Sequence, residues 1–280
     1  MSYKVYNMDA CFYNSLGVYS FEAQCEMLQE IGFDGTYLSL WTEQAFRDLD
    51  KLSGVKEKYG LDVAGVYVAL DFSLGINNPN NQRILKMLEN LEGSSTVEIA
   101  IRTVVPGLYP SDPSGDEVVI SWLNRVLEIA ERRNIDILLY SHLTFWLERH
   151  EDAVRLCRKI DHPNLGIVFC GPHWYAAGGG DIDATLEEAA PYIKQANLAG
   201  SRRDPLGWGG VATVEPLDQG ELDIFAMLGA LKKIGFDGMI GFEGWGWGSD
   251  IYNKLVRSLN AFRDMEGRVK ENPHWADLMR

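Results

Sequence analysis

Short apolar runs alternate with amphipathic segments along the whole chain. The runs lie near residues 4–12, 36–40, 62–70, 97–104, 136–142, 165–170, 193–200 and 239–245. Runs such as Val63–Leu70 and Ile135–Tyr140 are almost continuously apolar, which is typical of parallel strands that are covered on both faces. The pattern therefore predicts eight buried strands with helices packed outside them.

The amphipathic segments between these runs supply the helices. They are predicted at Ser20–Ile31, Thr42–Tyr59, Asn81–Leu91, Asp116–Arg133, Glu148–Ile160, Asp183–Ala190 and Leu222–Ile234. Ser20 and Asp181 or Asp183 are residues that favour helix N-termini. Alternating strands and helices with right-handed crossovers form an open doubly wound sheet or a closed barrel. Eight strands, with no Gly-x-Gly-x-x-Gly after the first, favour a (β/α)8 TIM barrel.

A five-residue segment, Ile-Gly-Phe-Asp-Gly, occurs twice, at residues 31–35 and 234–238. Each copy follows a predicted helix and precedes a strand, which indicates a repeated helix-turn-strand unit. The second copy leads into Met239–Phe242 and then Glu243. A carboxylate that closes an apolar strand has to be paired, metal-bound or shifted in its pKa. Glu243 is therefore the leading candidate for a site residue.

Length and composition fit one barrel domain. The chain has 280 residues, of which 46% are hydrophobic and 24% charged, and α/β barrels of about 250 residues commonly form one domain. We expect a single domain over residues 1–280 with a C-terminal helical tail at about 260–280. No charge block or proline-rich linker divides the sequence. Ser201–Gly220 is the longest segment predicted to be irregular, and loops of that length are usually functional or mobile.

Charge and cysteine usage narrow the choice of partners and compartment. A net charge of -14 disfavours nucleic acid and anionic membrane surfaces, because both repel a negative protein. The four cysteines are widely spaced, and a chain of this length needs no disulfides. The N-terminus lacks a secretory signal pattern, and no run reaches the roughly 18 apolar residues that a membrane span needs. We expect a soluble cytoplasmic protein.

Tryptophan collects at the predicted strand ends, where barrels of this kind carry their chemistry. Six of the eight tryptophans lie in or just after those ends: Trp41, Trp146, Trp174, Trp208, Trp245 and Trp247. An indole ring offers a flat apolar face to sugar C–H groups and an N–H donor to hydroxyls. We predict that these rings bind a small carbohydrate. The alternative is that they cover the barrel top or an oligomer contact.

Polar residues occupy the same strand ends and supply candidate chemistry. They are Arg102, Tyr140, His142, Cys170, His173, Asn197, Arg202, Arg203, Asp204 and Glu243. Two glycine-rich stretches, Gly178–Gly180 and Gly207–Gly210, flank the predicted mouth as lid hinges or a phosphate cradle. The phosphate interpretation is disfavoured, because neither stretch matches a P-loop and no lysine follows.

Four segments carry a resemblance to a known family over nearly the whole chain. They are Leu28–Gly35, Asn164–Phe169 with His173 beyond it, Tyr192–Asn197, and Leu231–Gly238 leading to Glu243. The sequence resembles the xylose isomerase-like TIM-barrel superfamily, which includes sugar isomerases, 3-epimerases, inosose dehydratases and apurinic endonucleases. The resemblance implies a TIM barrel with its site at the carboxyl ends of the strands. Such barrels often form dimers or tetramers, which leaves a homo-oligomer open.

The resemblance also implies a divalent metal, but most of the implied ligands are replaced. Family epimerases hold one ion with Glu, Asp, His and Glu from strands five to eight. The matching positions here are Tyr140, Cys170, Asn197 and Glu243, so only Glu243 keeps its identity. Mg²⁺ and Mn²⁺ prefer hard oxygen ligands with negative charge, and we therefore favour no cofactor. The alternative metal set is His142, His173 and Glu243, which suits Zn or Fe.

Two functions are compatible with these residues. The first is an isomerase, epimerase or dehydratase of a small carbohydrate or polyol, with Glu243 as base and His142 or His173 as acid. Arg202 or Asn197 would steady an enolate oxygen, and Tyr140, Cys170 and the six tryptophans would contact substrate. The second is a non-catalytic carbohydrate-binding or regulatory barrel that has lost the metal site. Nuclease activity is disfavoured by five histidines and a pI near 4.8.

Overall fold

The structure is a computed structural model that describes residues 2–75 and 77–278. Its strands are β1 (Val5–Asn7), β2 (Gly35–Ser39), β3 (Asp62–Asp71), β4 (Thr96–Thr103), β5 (Asp136–Tyr140), β6 (Leu165–Cys170), β7 (Ile193–Leu198), β8 (Arg203–Trp208) and β9 (Met239–Phe242). All except β8 form a closed parallel barrel in chain order, in which β9 pairs with β1. The predicted TIM barrel is confirmed, and each predicted run overlaps one of its strands.

Helices lie between the strands as the amphipathic segments predict. They are α1 (Phe21–Ile31), α2 (Glu43–Asp48), α3 (Val55–Tyr59), α4 (Pro79–Asn90), α5 (Asp116–Arg133), α6 (His150–Ile160), α7 (Gly171–Ala176), α8 (Ile182–Ala189), α9 (Ile224–Lys233) and α10 (Ile251–Glu271). The predicted N-caps are present, since the side chains of Ser20 and Asp181 accept backbone N–H groups of α1 and α8. Each of these helices is too short or too polar to cross a membrane.

Both copies of the repeated five-residue segment follow a helix and lead into a strand, and both use their glycines in the same way. Its first glycine has a positive φ in each copy, 99° at Gly32 and 72° at Gly235, which glycine adopts without steric cost. The second glycine lies close to the neighbouring strand: a Cβ at Gly238 would be 2.2 Å from the Lys194 carbonyl oxygen. Both positions thus require glycine, and the repeat follows from backbone geometry.

Two apolar layers hold the barrel together. One lies between the strands and the surrounding helices and contains residues such as Trp122 and Phe262. The other fills the barrel interior and is rich in tyrosine: Tyr6, Tyr37, Tyr67 and Tyr140 all lie in it. A tyrosine ring fills space as an aliphatic side chain does, but its hydroxyl needs a partner when buried. The interior therefore contains polar contacts in an otherwise apolar core.

The structure differs from the prediction in one segment and contains one helix that was not predicted. Ser201–Gly220 is not irregular but folds back on itself, with Gly200 and Glu215 exchanging backbone hydrogen bonds of 2.9 and 2.7 Å. The C-terminal helical tail predicted at about 260–280 lies in the longer helix α10, which begins at Ile251, and in a short 3-10 helix, Pro273–Leu278, that follows it. Helix α7, directly after β6, was not predicted.

Candidate active site

A cavity of about 970 Å³ opens at the carboxyl ends of the strands. Its aromatic lining consists of Tyr13, Trp41, Phe46, Tyr67, Tyr140, Phe145, Trp208 and Trp245. The ionisable and amide groups in the lining are Glu43, Asp71, Asn80, Asn81, Arg83, Arg102, His142, His173 and Glu243. This combination of apolar walls and a few convergent polar groups is typical of small-molecule sites.

Glu243 lies at the inner end of this cavity, directly after β9. Its backbone N–H donates to the Leu198 carbonyl at 2.9 Å, which fixes the residue against β7, and only 5% of it is exposed. The Tyr140 hydroxyl donates to Oε2 at 3.3 Å, and Nε2 of His173 lies 3.4 Å from Oε1. The carboxylate is therefore buried and close to two polar hydrogens, at distances long enough to shorten when a ligand binds.

The proton on His173 is positioned by the main chain. Nδ1 of this ring accepts the Leu143 backbone N–H at 3.2 Å. A neutral imidazole with an accepting Nδ1 carries its hydrogen on Nε2. The Nε2–H group then points at Glu243, so that His173 is a donor to this carboxylate.

His142 has the opposite tautomer. Its Nδ1 lies 2.9 Å from the Leu143 carbonyl oxygen, to which only a protonated nitrogen can donate. The ring stacks on Phe145 with centroids 3.7 Å apart. Burial, together with the neighbouring His173 ring, lowers the pKa of His142 to about 2. The ring is neutral, and its Nε2 lone pair has no hydrogen-bond partner among the described residues. This argues against the predicted role of His142 as an acid and favours accepting a hydroxyl hydrogen.

A second carboxylate, Glu98 on β4, lies in the interior and was missed by the sequence analysis. The Tyr37 hydroxyl donates to it at 2.5 Å, and the Tyr6 hydroxyl lies 3.4 Å away. The amide of Asn197 approaches it at 3.5 Å, and Tyr6 donates to that side chain's Oδ1 at 2.6 Å. Burial raises the pKa of Glu98 to about 8. The signal was available in the sequence, because Glu98 is a charged residue inside the apolar run near 97–104.

The predicted tryptophans divide into two groups. Trp41, Trp208 and Trp245 line the cavity, and Trp41 meets Trp245 edge to face at 5.2 Å. The other three are buried in packing outside the cavity. Trp146 donates to the Asp112 carbonyl, Trp174 lies 3.4 Å from the Thr185 hydroxyl, and Trp247 packs against Gly244.

Of the predicted polar contacts, Tyr140, His142, His173 and Glu243 come together at the cavity. Cys170 and Asn197 lie below them in the interior, where the Asn197 amide contacts the Cys170 sulfur at 4.0 Å. Arg202 lies elsewhere: it is exposed and binds Glu215 through two hydrogen bonds of 2.6 and 3.1 Å. Arg202 is therefore not placed to steady an enolate beside Glu243.

The sequence matches the family described as xylose isomerase-like TIM barrel over residues 15–264. The chain belongs to this family. The chain matches no curated protein.

Solved structures with the same fold include several enzymes. The IolI protein with a binding zinc atom is 18% identical, with a TM-score of 0.71 over 95% of this chain and 98% of that one. A 3-keto-D-glucoside 4-epimerase from E. coli is 16% identical, with a TM-score of 0.69 over 94% and 100%. A D-allulose 3-epimerase from Methylomonas sp., in complex with D-allulose, is 14% identical, with a TM-score of 0.70 over 94% and 97%. At these identities the likeness shows the fold alone.

The donors at the family's metal position do not fit a hard divalent ion. Burial raises the pKa values of both Tyr140 and Cys170 well above their ordinary ranges, and a phenol and a thiol are not the carboxylate oxygens that such an ion prefers. The Asn197 oxygen accepts from Tyr6. Glu243 is left as the only carboxylate among these four, whereas Mg²⁺ and Mn²⁺ need several oxygen ligands.

A softer metal meets a different obstacle. Cys170, His173 and Glu243 have potential ligand atoms within 4.8 Å of one another, a set that includes Cys170 in place of the predicted His142. Zinc would require a lone pair on His173, but the one on Nδ1 already accepts the Leu143 N–H, and Nε2 carries the proton. We therefore derive no chemistry through a metal.

Proposed function

We propose that the protein is an enzyme that moves a proton on the carbon next to a carbonyl group of a small carbohydrate or polyol. Isomerisation, epimerisation and dehydration all begin with this step. Glu243 is the base, and the three tryptophans of the cavity bind the sugar. The observation that carries the proposal is the buried Glu243 carboxylate, which faces a sugar-sized cavity between two hydrogen-bond donors.

The first step uses groups that are already in contact. Glu243 takes the proton from the substrate carbon, and the electron pair of the broken C–H bond moves to the carbonyl oxygen and forms an enolate. A carboxylic acid accepts hydrogen bonds less strongly than a carboxylate does. As Glu243 is protonated, the Nε2–H of His173 and the hydroxyl of Tyr140 become available to the new oxyanion. Donors aimed at developing charge are typically worth about 10²–10³-fold in rate each.

The remaining contacts orient the substrate. His142 is neutral, and its Nε2 lone pair can accept a sugar hydroxyl. The Trp208 ring meets both imidazoles edge to face, with centroid distances of 5.1 Å to His142 and 4.9 Å to His173. This packing holds the two imidazoles in place. Delivery of a proton to the opposite face of the same carbon gives an epimer. Delivery to the former carbonyl carbon, with loss of the neighbouring hydroxyl proton, gives an isomer, and loss of a β-hydroxyl together with a proton, as water, gives a dehydrated product.

A binding protein without chemistry is the second candidate. Its support is the donor set at the family's metal position, in which Tyr140, Cys170 and Asn197 are neutral. A protein of this kind would bind sugars on the tryptophans and leave their carbon-bound hydrogens untouched.

Deuterium incorporation from D₂O separates the two candidates. The purified protein is incubated with a panel of ketoses, aldoses, inososes and keto-glycosides, its metal content is measured, and exchange is followed by NMR. We expect carbon-bound deuterium with at least one substrate and none with Glu243→Gln, which keeps the shape of the side chain. Binding without exchange across the panel would support the binding protein and reject the enzyme.

A further inference from the structure

We propose that Arg102 binds an anionic group of the substrate, so that the cavity takes sugar acids or sugar phosphates in preference to neutral sugars. The shared chemistry is a carboxylate or phosphate oxyanion next to a polyhydroxylated carbon chain. This inference rests on the proposed function in placing the substrate in the same cavity, but it concerns recognition and not proton transfer.

Arg102 is built into the cavity wall. It lies near the end of β4, and its carbonyl oxygen accepts the Trp146 backbone N–H at 2.9 Å. This bond ties the end of β4 to the loop after β5, which carries His142. The side chain is exposed towards the cavity and forms part of its lining. This backbone hydrogen bond therefore fixes the main chain that carries the Arg102 side chain.

The charge of Arg102 has no counter-ion in the part of the chain that the structure describes. No carboxylate there lies within ion-pair distance of its guanidinium. The other arginine of the lining, Arg83, is neutralised by Glu43 through two hydrogen bonds of 2.5 and 3.0 Å. Acidic residues outnumber basic ones by 40 to 26, so an arginine in a concave site without an acidic partner is the exception to explain. An anionic ligand would supply that partner.

The aromatic support beneath Arg102 leads towards the proposed base. Its guanidinium carbon lies 5.3 Å from the centre of the Phe145 ring, within range of a cation–π contact. Phe145 stacks on His142, whose ring lies 4.2 Å from that of His173, and His173 contacts Glu243. A substrate along this wall can place its anion on Arg102 and its carbon chain over the imidazoles and the carboxylate.

Electrostatics make a local cation necessary for such a substrate. A protein of net charge -14 repels anions at long range, and Glu243 adds a negative charge inside the site. A bidentate arginine–carboxylate or arginine–phosphate pair offsets that repulsion and also fixes the orientation of the ligand. Arg102 therefore both admits an anionic sugar and keeps its charged end away from the base.

Quenching of tryptophan fluorescence measures binding directly, because Trp41, Trp208 and Trp245 line the cavity. The probes are D-glucuronate, D-galacturonate and D-glucose 6-phosphate, with D-glucose and D-galactose as neutral parents, in buffer of low ionic strength. We expect at least one anionic probe to bind about tenfold or more tightly than its parent, which corresponds to about 1.4 kcal/mol. A preference for the uronates or for the phosphate identifies which oxyanion is recognised.

Substitution assigns this preference to one residue. In Arg102→Met the anionic and neutral probes should bind within about twofold of each other, and Arg102→Lys should restore part of the difference. Arg202→Met is the matched control, because it changes the net charge equally but removes an arginine that is already paired with Glu215 outside the cavity. It should keep the preference.

Three results would overturn the inference. They are equal binding of anionic and neutral probes by the unmodified protein, a preference that survives in Arg102→Met, and a preference that Arg202→Met loses to the same extent. Binding is also measured in Glu243→Gln, which lacks the proposed base but keeps Arg102. Loss of proton exchange and loss of anion preference are thereby observed separately. Anion preference without deuterium exchange in the unmodified protein rejects the enzyme alone, and exchange without anion preference rejects only the role of Arg102.

Discussion

Two glutamates lie in the interior of the same barrel, but they differ in their access to the cavity and in the length of their hydrogen bonds. Glu98 is fully buried below the cavity, and its nearest hydrogen bond, from Tyr37, is 2.5 Å long. Glu243 lines the cavity, and its two side-chain contacts are 3.3 and 3.4 Å long. The short contact leaves Glu98 little freedom to change partners, whereas the long contacts around Glu243 leave room for a substrate. Access and donor distance, rather than residue type, separate a structural carboxyl group from a reactive one.

Glu243→Gln should produce the largest effect on activity. An amide cannot act as the base, so the rate of solvent exchange should fall by about 10³-fold or more, within the range assigned to general bases and their surroundings. NMR detection of deuterium incorporation measures the rate, and urea unfolding shows whether the fold is retained. Exchange at an undiminished rate in this variant would remove Glu243 from the mechanism.

Glu98→Ala should produce the largest effect on stability. The substitution leaves a cavity and removes the partner of the Tyr37 hydroxyl, and each of these changes costs free energy. We expect a loss of about 3 kcal/mol in the free energy of unfolding. Chemical denaturation checks this value, with Glu98→Gln as the shape-conserving control, which should lose less. If the alanine variant is as stable as the unmodified protein, the hydrogen bonds to Glu98 do not stabilise the interior.

The pH dependence of stability should distinguish Glu98 from an exposed glutamate. Because burial raises its folded pKa to about 8, the folded state keeps a proton that the unfolded state has released. Stability therefore falls as the pH rises from the ordinary glutamate pKa to about 8, by at most about 1.4 kcal/mol per pH unit. Glu98→Gln lacks this loss, so its stability relative to the unmodified protein should rise between pH 5 and 8. Urea unfolding at several pH values tests this, and a constant difference would mean that Glu98 ionises normally.

Trp245→Ala should have the smallest of these effects, on binding rather than on the fold. The Trp245 indole offers an apolar face whose burial against a sugar stabilises the complex by about 25 cal/mol per Å², so affinity for a bound sugar should fall by about three- to tenfold. Trp275→Ala is the control, because Trp275 is half exposed on the 3-10 helix Pro273–Leu278, away from the cavity. Isothermal titration calorimetry compares the two variants. An equal loss of affinity in both variants would mean that the effect of removing a tryptophan does not depend on its position in the cavity.

The fold was more predictable than the site because it follows from periodicity. Nearly continuous apolar runs specify strands covered on both faces, and the two Ile-Gly-Phe-Asp-Gly segments specify where helices end. The position of Glu243 at a strand end could also be predicted. The hairpin within Ser201–Gly220 could not be predicted in the same way, because its pairing depends on backbone contacts such as Gly200 with Glu215 that leave no periodic signal.

Side-chain direction in the loops was the main source of error at the site. Trp146, Trp174 and Trp247 follow their strands by six, four and five residues, and Trp41 and Trp245 follow theirs by two and three. Such small differences along the chain do not determine which side of a loop faces the cavity. Glu98 was missed for another reason. It lies within a strand rather than at its end, and a search limited to strand ends passes over it.

The Leu143 N–H that fixes the tautomer of His173 belongs to the main chain. Any residue except proline supplies the same hydrogen at that position. A conservative apolar substitution at residue 143 should therefore leave this hydrogen bond, and with it the orientation of the imidazole towards Glu243, in place. Proline alone would remove this donor, so the hydrogen that orients His173 depends on the main chain at position 143, whereas the buried Leu143 side chain serves packing.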